Sequence, residues 1–168
     1  MMNCLFVRAP FAGWIADGVK LIEYRTRETL IRGRIGIIES GTQTVIGDVE
    51  LKNCVWNDTQ KIWLWMLQRP RRYAKPVPFE HKRGCVTWAL LDIDPGAQEI
   101  APRLTGARFN RESAEYRKTI DNWLLEHTQH LAGSGPHAGR AAGASACIVT
   151  VGRTYRPPDG RKIRNWRR

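Results

Sequence analysis

Two strand-like runs joined by one tight turn constrain this chain more than any other feature. Residues 34–39 form the first run, Ser40-Gly41-Thr42 is turn chemistry, and residues 44–52 form the second. In the second run Val45, Gly47, Val49 and Leu51 share a face, opposite Ile46, Asp48 and Glu50. Alternation with period two describes a half-buried strand.

Further signals flank this pair. Residues 3–8 are a short, mostly apolar run that reads as a strand. Pro10 suits the first turn of a short helix, Phe11, Trp14 and Ile15 share one helical face, and Gly18 suits its stop. Residues 20–27 alternate again, with Leu21, Glu23 and Arg25 on one face and Lys20, Ile22 and Tyr24 on the other. Asn57 with Gln60 has capping-box spacing and predicts a short helix through Ile62, Trp63, Trp65 and Met66, ending at Arg69-Pro70. Residues 69–83 read as a basic, Pro-containing loop and 84–94 as another strand, closed by Pro95-Gly96. This order predicts an α+β fold: a small, strongly bent sheet or barrel with helices at its ends.

Beyond residue 94 the pattern changes. Residues 95–107 are irregular, and Asn110 caps a predicted helix over 111–131. Its apolar stripe is Tyr116, Ile120, Trp123, Leu124, His127 and Leu131. A Gly/Ala/Ser-rich loop over 133–146, a strand over 147–155 and a basic tail complete the chain. The expected organisation is a barrel domain over 1–94 and a C-terminal extension over 95–168.

Charge points to the partner. The 168 residues carry a formal +11, with a pI near 10.1, and 42% of them are hydrophobic. That is enough apolar material for a core, with a cation excess that favours polyanions through counterion release. The cations cluster. Residues 153–168 hold seven against Asp159, a net +6, and residues 69–83 hold six against Glu80, a net +5. Tyr73, Tyr155 and Trp166 lie among them. Cations interleaved with aromatics suit RNA, either tRNA or a single strand, with DNA as the other nucleic acid. The competing reading is a basic tail that binds acids without preference.

Several classes are excluded or disfavoured. No apolar run approaches the roughly 20 residues of a spanning helix, so no membrane partner is expected. The N-terminus lacks the basic and apolar regions of a signal peptide. Cys4, Cys54, Cys85 and Cys147 are scattered, which suggests reduced thiols and a cytoplasmic setting. His127, His130 and His137 lack a completing motif beyond Cys147, so neither a metal nor a cofactor is expected. No P-loop spacing occurs.

One motif carries a resemblance. Gly18-Val19-Lys20-Leu21-Ile22-Glu23-Tyr24-Arg25 follows the short helix and precedes Arg32-Gly33-Arg34-Ile35. Then come Ile46-Gly47-Asp48-Val49-Glu50-Leu51 and the late-strand Trp88. Over residues 3–94 this resembles the ASCH family, whose members carry G-x-K-x-x-E-x-R after the first helix. The resemblance implies a PUA-like β-barrel, an RNA-linked role and a cleft at Lys20, Glu23 and Arg25. One branch of the family removes the acetyl group of N4-acetylcytidine, and another is credited with ribonuclease activity. The deacetylating branch places a Thr three residues after its Lys. Here Glu23 holds that place, and Thr26 and Thr87 are the substitutes on offer.

The residues leave three readings open. In the first, the protein binds RNA: Glu23 accepts from a base, Arg25 holds phosphate or base, and Trp88 stacks. Arg71, Arg72, Arg161, Lys162 and Arg164 then hold the backbone. In the second, it is an RNA-acting hydrolase, with Lys20 as nucleophile or clamp and Glu23 as general base. That needs a depressed Lys20 pKa. In the third, helix 111–131 is a docking surface in transcription regulation. Structural alternatives stand beside these: a Glu23–Arg25 ion pair across the barrel mouth, and Trp88 as packing. Lys20 and Glu23 have opposite parity on a regular strand, so they meet only if Lys20 lies in the turn after Gly18.

Overall fold

The computed structural model describes residues 1–81, 84 and 86–132, with side chains described through Glu126. Eight elements follow in order: β1 (Met2–Val7), α1 (Phe11–Ala16), β2 (Ile22–Arg25), β3 (Gly33–Glu39), β4 (Thr44–Asn57), β5 (Ile62–Pro78), β6 (Trp88–Leu91) and α2 (Gly106–Ala132). The strands form one mixed sheet in the order β2-β5-β4-β3-β1-β6. Among the described residues, only the β1–β3 pairing is parallel.

The sheet curls until its edges face each other. Arg25 on edge strand β2 donates from Nη2 to the carbonyl of Phe6 in β1, at 2.8 Å. Trp65 of β5 stacks on Trp88 of edge strand β6, with centroids 5.5 Å apart and planes 13° from parallel. The result is the curled half-barrel of a PUA-like α+β fold, filled by Leu5, Val7, Ile35, Ile37, Val49, Leu51, Trp65 and Leu67, with Ala12 and Ile15 of α1 closing it.

Curling comes from β4 and β5. Their register shifts at three places, Val45/Gly47, Asp48/Glu50 and Leu51/Asn53. Each irregularity bends the pair and increases its twist. At the second, Asp48 pairs with Arg71 and Glu50 with Gln68, so Arg69 and Pro70 together oppose Val49. Arg69 takes a φ of 51°, and Pro70 loses nothing because a bulged residue makes no ladder bond. Gly47 is required by close approach. A Cβ there would lie 2.4 Å from the Arg71 carbonyl oxygen and 3.2 Å from Ala16 Cβ.

Two sequence expectations are overturned. No helix follows Asn57: β4 and β5 form a long hairpin across it. The capping-box contacts do form, but around a hairpin tip. Asn57 Oδ1 accepts from the Gln60 N–H at 3.1 Å, and Lys61 turns the chain with a φ of 51°. Residues 62–67 are apolar at every position, so no period separates helix from strand, and pairing with β2 and β4 decides. The basic loop over 69–83 is largely strand, since β5 runs to Pro78. The late strand is confined to Trp88–Leu91, and α2 begins at Gly106, ahead of Asn110. The predicted loop over 133–146 and strand over 147–155 lie outside the described residues.

Cys4 is fully buried, as its apolar context suggested, and burial pushes its thiol up to about 11. No described helix is long and apolar enough to cross a membrane.

Gly47→Ala should lower stability by about 1–3 kcal/mol, the usual cost of overpacking. Urea unfolding reads this as a lower midpoint at unchanged slope. An unchanged midpoint would mean that β5 and α1 do not approach Gly47 this closely.

Candidate functional site

The turn after α1 decides where Lys20 goes. Gly18 takes a φ of 79°, and the Trp14 carbonyl accepts from the N–H groups of both Val19 and Lys20. β2 starts only at Ile22, so Lys20 precedes the strand and escapes its alternation. Its ammonium reaches Glu23 Oε2 at 2.7 Å and donates to the Ile22 carbonyl. Arg25 Nε donates to the other oxygen, Glu23 Oε1, at 2.9 Å. One carboxylate therefore bridges two cations.

Burial is graded across the cluster. The Lys20 side chain is 2% exposed, that of Glu23 9% and that of Arg25 24%. Burial holds the Lys20 amine below its ordinary value, and the Glu23 carboxylate opposes that shift. Arg25 also lies over the Trp65 ring, 5.7 Å from its centroid, and Lys20 lies 5.1 Å from that of Tyr24. Trp65 is fixed in turn by its indole N–H, which donates to the Arg27 carbonyl at 3.1 Å.

Helix α2 reaches α1 and β2 through individual side chains. Trp14 Nε1 donates to Glu112 at 2.8 Å, Trp14 meets Tyr116 edge to face, and Tyr24 contacts Trp123. Burial pushes the Tyr24 and Tyr116 phenols up. Two members of the apolar stripe read as a docking surface, Tyr116 and Trp123, thus pack on the chain's own α1 and β2. Its roles for Glu112 and Tyr116 were not legible, because helical spacing shows that a face is apolar and not what lies beneath it.

The residues singled out from sequence separate into three groups. Lys20, Glu23 and Arg25 meet, and Trp88 joins them through Trp65. Arg71 and Arg72 lie elsewhere and are engaged. Arg71 holds both oxygens of the buried Asp48 at 2.9 Å, and Arg72 holds both oxygens of Asp17 at 2.6 and 2.9 Å. Arg161, Lys162 and Arg164 lie outside the described residues. Thr26 is exposed, while the Thr87 carbonyl accepts from the N–H of Phe6, whose own carbonyl holds Arg25. Among the described residues, no group of three His, Cys, Asp or Glu could hold a metal ion.

Comparison with known proteins follows the same geometry. Residues 5–133 match the model of the ASCH domain. Among solved structures, the ASCH protein of Zymomonas mobilis is similar at 20% identity, over 46% of this chain and 73% of that one, with a TM-score of 0.40. A variant of that organism's protein with one Tyr replaced by Phe aligns at 16% identity, over 68% and 96%, with a TM-score of 0.43. A second variant, with one Ser replaced by Ala, aligns at 14%, over 68% and 95%, with a TM-score of 0.45. No curated protein matches the chain.

Because its folded pKa lies below the unfolded 10.5, Lys20 binds fewer protons folded than unfolded between those two values. Its contribution to stability therefore rises with pH across that window and is flat above it. An NMR titration of the Lys20 side chain should show a midpoint below 10.5. A midpoint at or above that value would contradict the burial described.

Proposed function

We propose, from the premise that this chain belongs to the ASCH domain family, that its barrel closure binds a nucleotide of cytoplasmic RNA. The observation that carries this reading is the Lys20–Glu23–Arg25 cluster with Arg25 as its exposed member, beside the Trp65–Trp88 stack. Arg25 takes a phosphate or a base edge. Glu23 accepts from an exocyclic amino group, with Lys20 holding its charge and position. Trp88, half-buried, offers indole surface to a base. Since Asp48 and Asp17 occupy Arg71 and Arg72, attraction to the RNA backbone rests on Arg161, Lys162, Arg164 and the other tail cations. ASCH domains are generally associated with nucleic acid, and the +11 charge supports the same partner.

A second reading, an RNA-acting hydrolase, is favoured by one observation. Burial lowers the Lys20 pKa, which enriches the neutral amine needed for nucleophilic or acid–base work. Glu23 Oε2, at 2.7 Å, is placed to exchange a proton with it.

Two experiments separate the readings. In the first, binding of single-stranded RNA is measured against salt concentration. Removing residues 153–168 should weaken all sequences alike and flatten the salt dependence, whereas Glu23→Gln should change base preference. If neither change alters affinity, the binding reading fails. In the second, bulk tRNA is incubated with the protein and with Lys20→Met, which keeps the buried stem. Its nucleosides are then compared by mass spectrometry, beside a sizing gel. Loss of one modified nucleoside, or cleavage, only with unmutated protein establishes the hydrolase. Unchanged but retained RNA leaves the binding module.

A further inference from the structure

The β4–β5 hairpin carries a feature that the cluster does not use. In register, Trp56 of β4 lies opposite Trp63 of β5, and Trp63 lies opposite Arg25 of β2. Residues paired across antiparallel strands project on the same face. Trp56, Trp63 and Arg25 therefore form one row across three strands. The row behind it is Cys54, Trp65 and Glu23. The front row is the open one. Trp56 is 42% exposed and meets Trp63 edge to face at 5.4 Å, while Trp63 and the Arg25 side chain are partly exposed. With strands about 4.8 Å apart, Trp56 and Arg25 are separated by roughly 10 Å at the backbone.

The hairpin tip that carries this indole is braced by an ion pair. The Asp58 carboxylate holds Lys61 at 2.7 Å, and Lys61 holds the Asp58 carboxyl below its ordinary value. The Asn57–Gln60 contacts brace the same turn. An exposed Trp packed edge to face against Trp63 on a braced turn offers a ring face with little ordering cost on binding.

We infer that the row Trp56–Trp63–Arg25 is a base-stacking lip that receives the nucleotide neighbouring the one at Lys20 and Glu23. This rests on the nucleotide-binding reading above and adds to it that the ligand is a single strand at least two nucleotides long. Chemistry selects that partner. Aromatic faces accept any unpaired base, and an adjacent guanidinium neutralises the linking phosphate. A duplex keeps its bases stacked on each other and leaves such a lip unused.

The test measures affinity of the full chain for a short single-stranded RNA, the matching duplex and a nucleoside monophosphate. Trp56→Ala should weaken the single strand about tenfold, roughly 1.4 kcal/mol, within the span measured for one lost base stack. Trp56→Phe should restore most of that loss, and mononucleotide affinity should not change. Urea midpoints confirm that both variants fold. If Trp56→Ala binds the single strand normally while the folded Arg25→Gln variant binds it weakly, the lip is refuted and the nucleotide site stands. If Trp56→Ala abolishes self-association and leaves RNA affinity intact, the row is a contact between copies and the lip is again refuted. Failure of the unmutated protein to bind any of the three ligands removes both readings.

Discussion

The Glu23 carboxylate, shared between Lys20 and Arg25, ties the end of α1 to edge strand β2 and, through Arg25, to β1. Burying a single carboxylate is costly, and burying a lone ammonium is equally so. Here each ion solves the other's problem, with Arg25 as the second cation. The arrangement has structural reach because its members belong to different parts of the fold. Lys20 comes from the turn that ends α1, Glu23 and Arg25 from edge strand β2, and Arg25 continues to the Phe6 carbonyl of β1. Removing one partner of a buried pair costs on the order of 3–5 kcal/mol. The cluster is therefore scaffold and candidate site at once, and only variants that keep volume can separate the two roles.

A sheet of six strands has two edges, and this one handles both by curling. Three register shifts in β4 and β5 bend it, and Gly47 makes room for α1 at the bend. Asp48 and Asp17 then tie down Arg71 and Arg72 on the far side of that bend. Two of the six cations over residues 69–83, Arg71 and Arg72, are thus engaged by carboxylates of the fold. Net charge argues about partners, but only the pairing of individual side chains shows which charges remain available.

Much of this was legible in the sequence, for identifiable reasons. Strict alternation over residues 44–52 and the turn at Ser40-Gly41-Thr42 located β3 and β4 because a half-buried strand leaves a period-two signature. The resemblance of Gly18–Arg25 to the ASCH signature pointed to Lys20, Glu23 and Arg25, and the turn after Gly18 resolved the parity conflict between the first two. The hairpin was hidden because residues 62–67 are apolar throughout, and because Asn57 and Gln60 cap a tip as readily as a helix. That misreading also concealed the row of Trp56, Trp63 and Arg25, which exists only once three strands are aligned. The packing of α2 on Trp14 and Tyr24 is a long-range contact that no local pattern encodes.

Entry of a nucleotide at the barrel closure is tested most directly by solution NMR. Isotope-labelled protein would be titrated with short single-stranded RNA while the Lys20 ammonium, the Arg25 guanidinium and the indole N–H groups of Trp65 and Trp88 are followed. Saturable shifts are expected at these groups, in parallel with one another and at the same RNA concentration that saturates binding. RNA that binds while all four stay unmoved would contradict it, and would place the nucleic-acid contact away from the barrel.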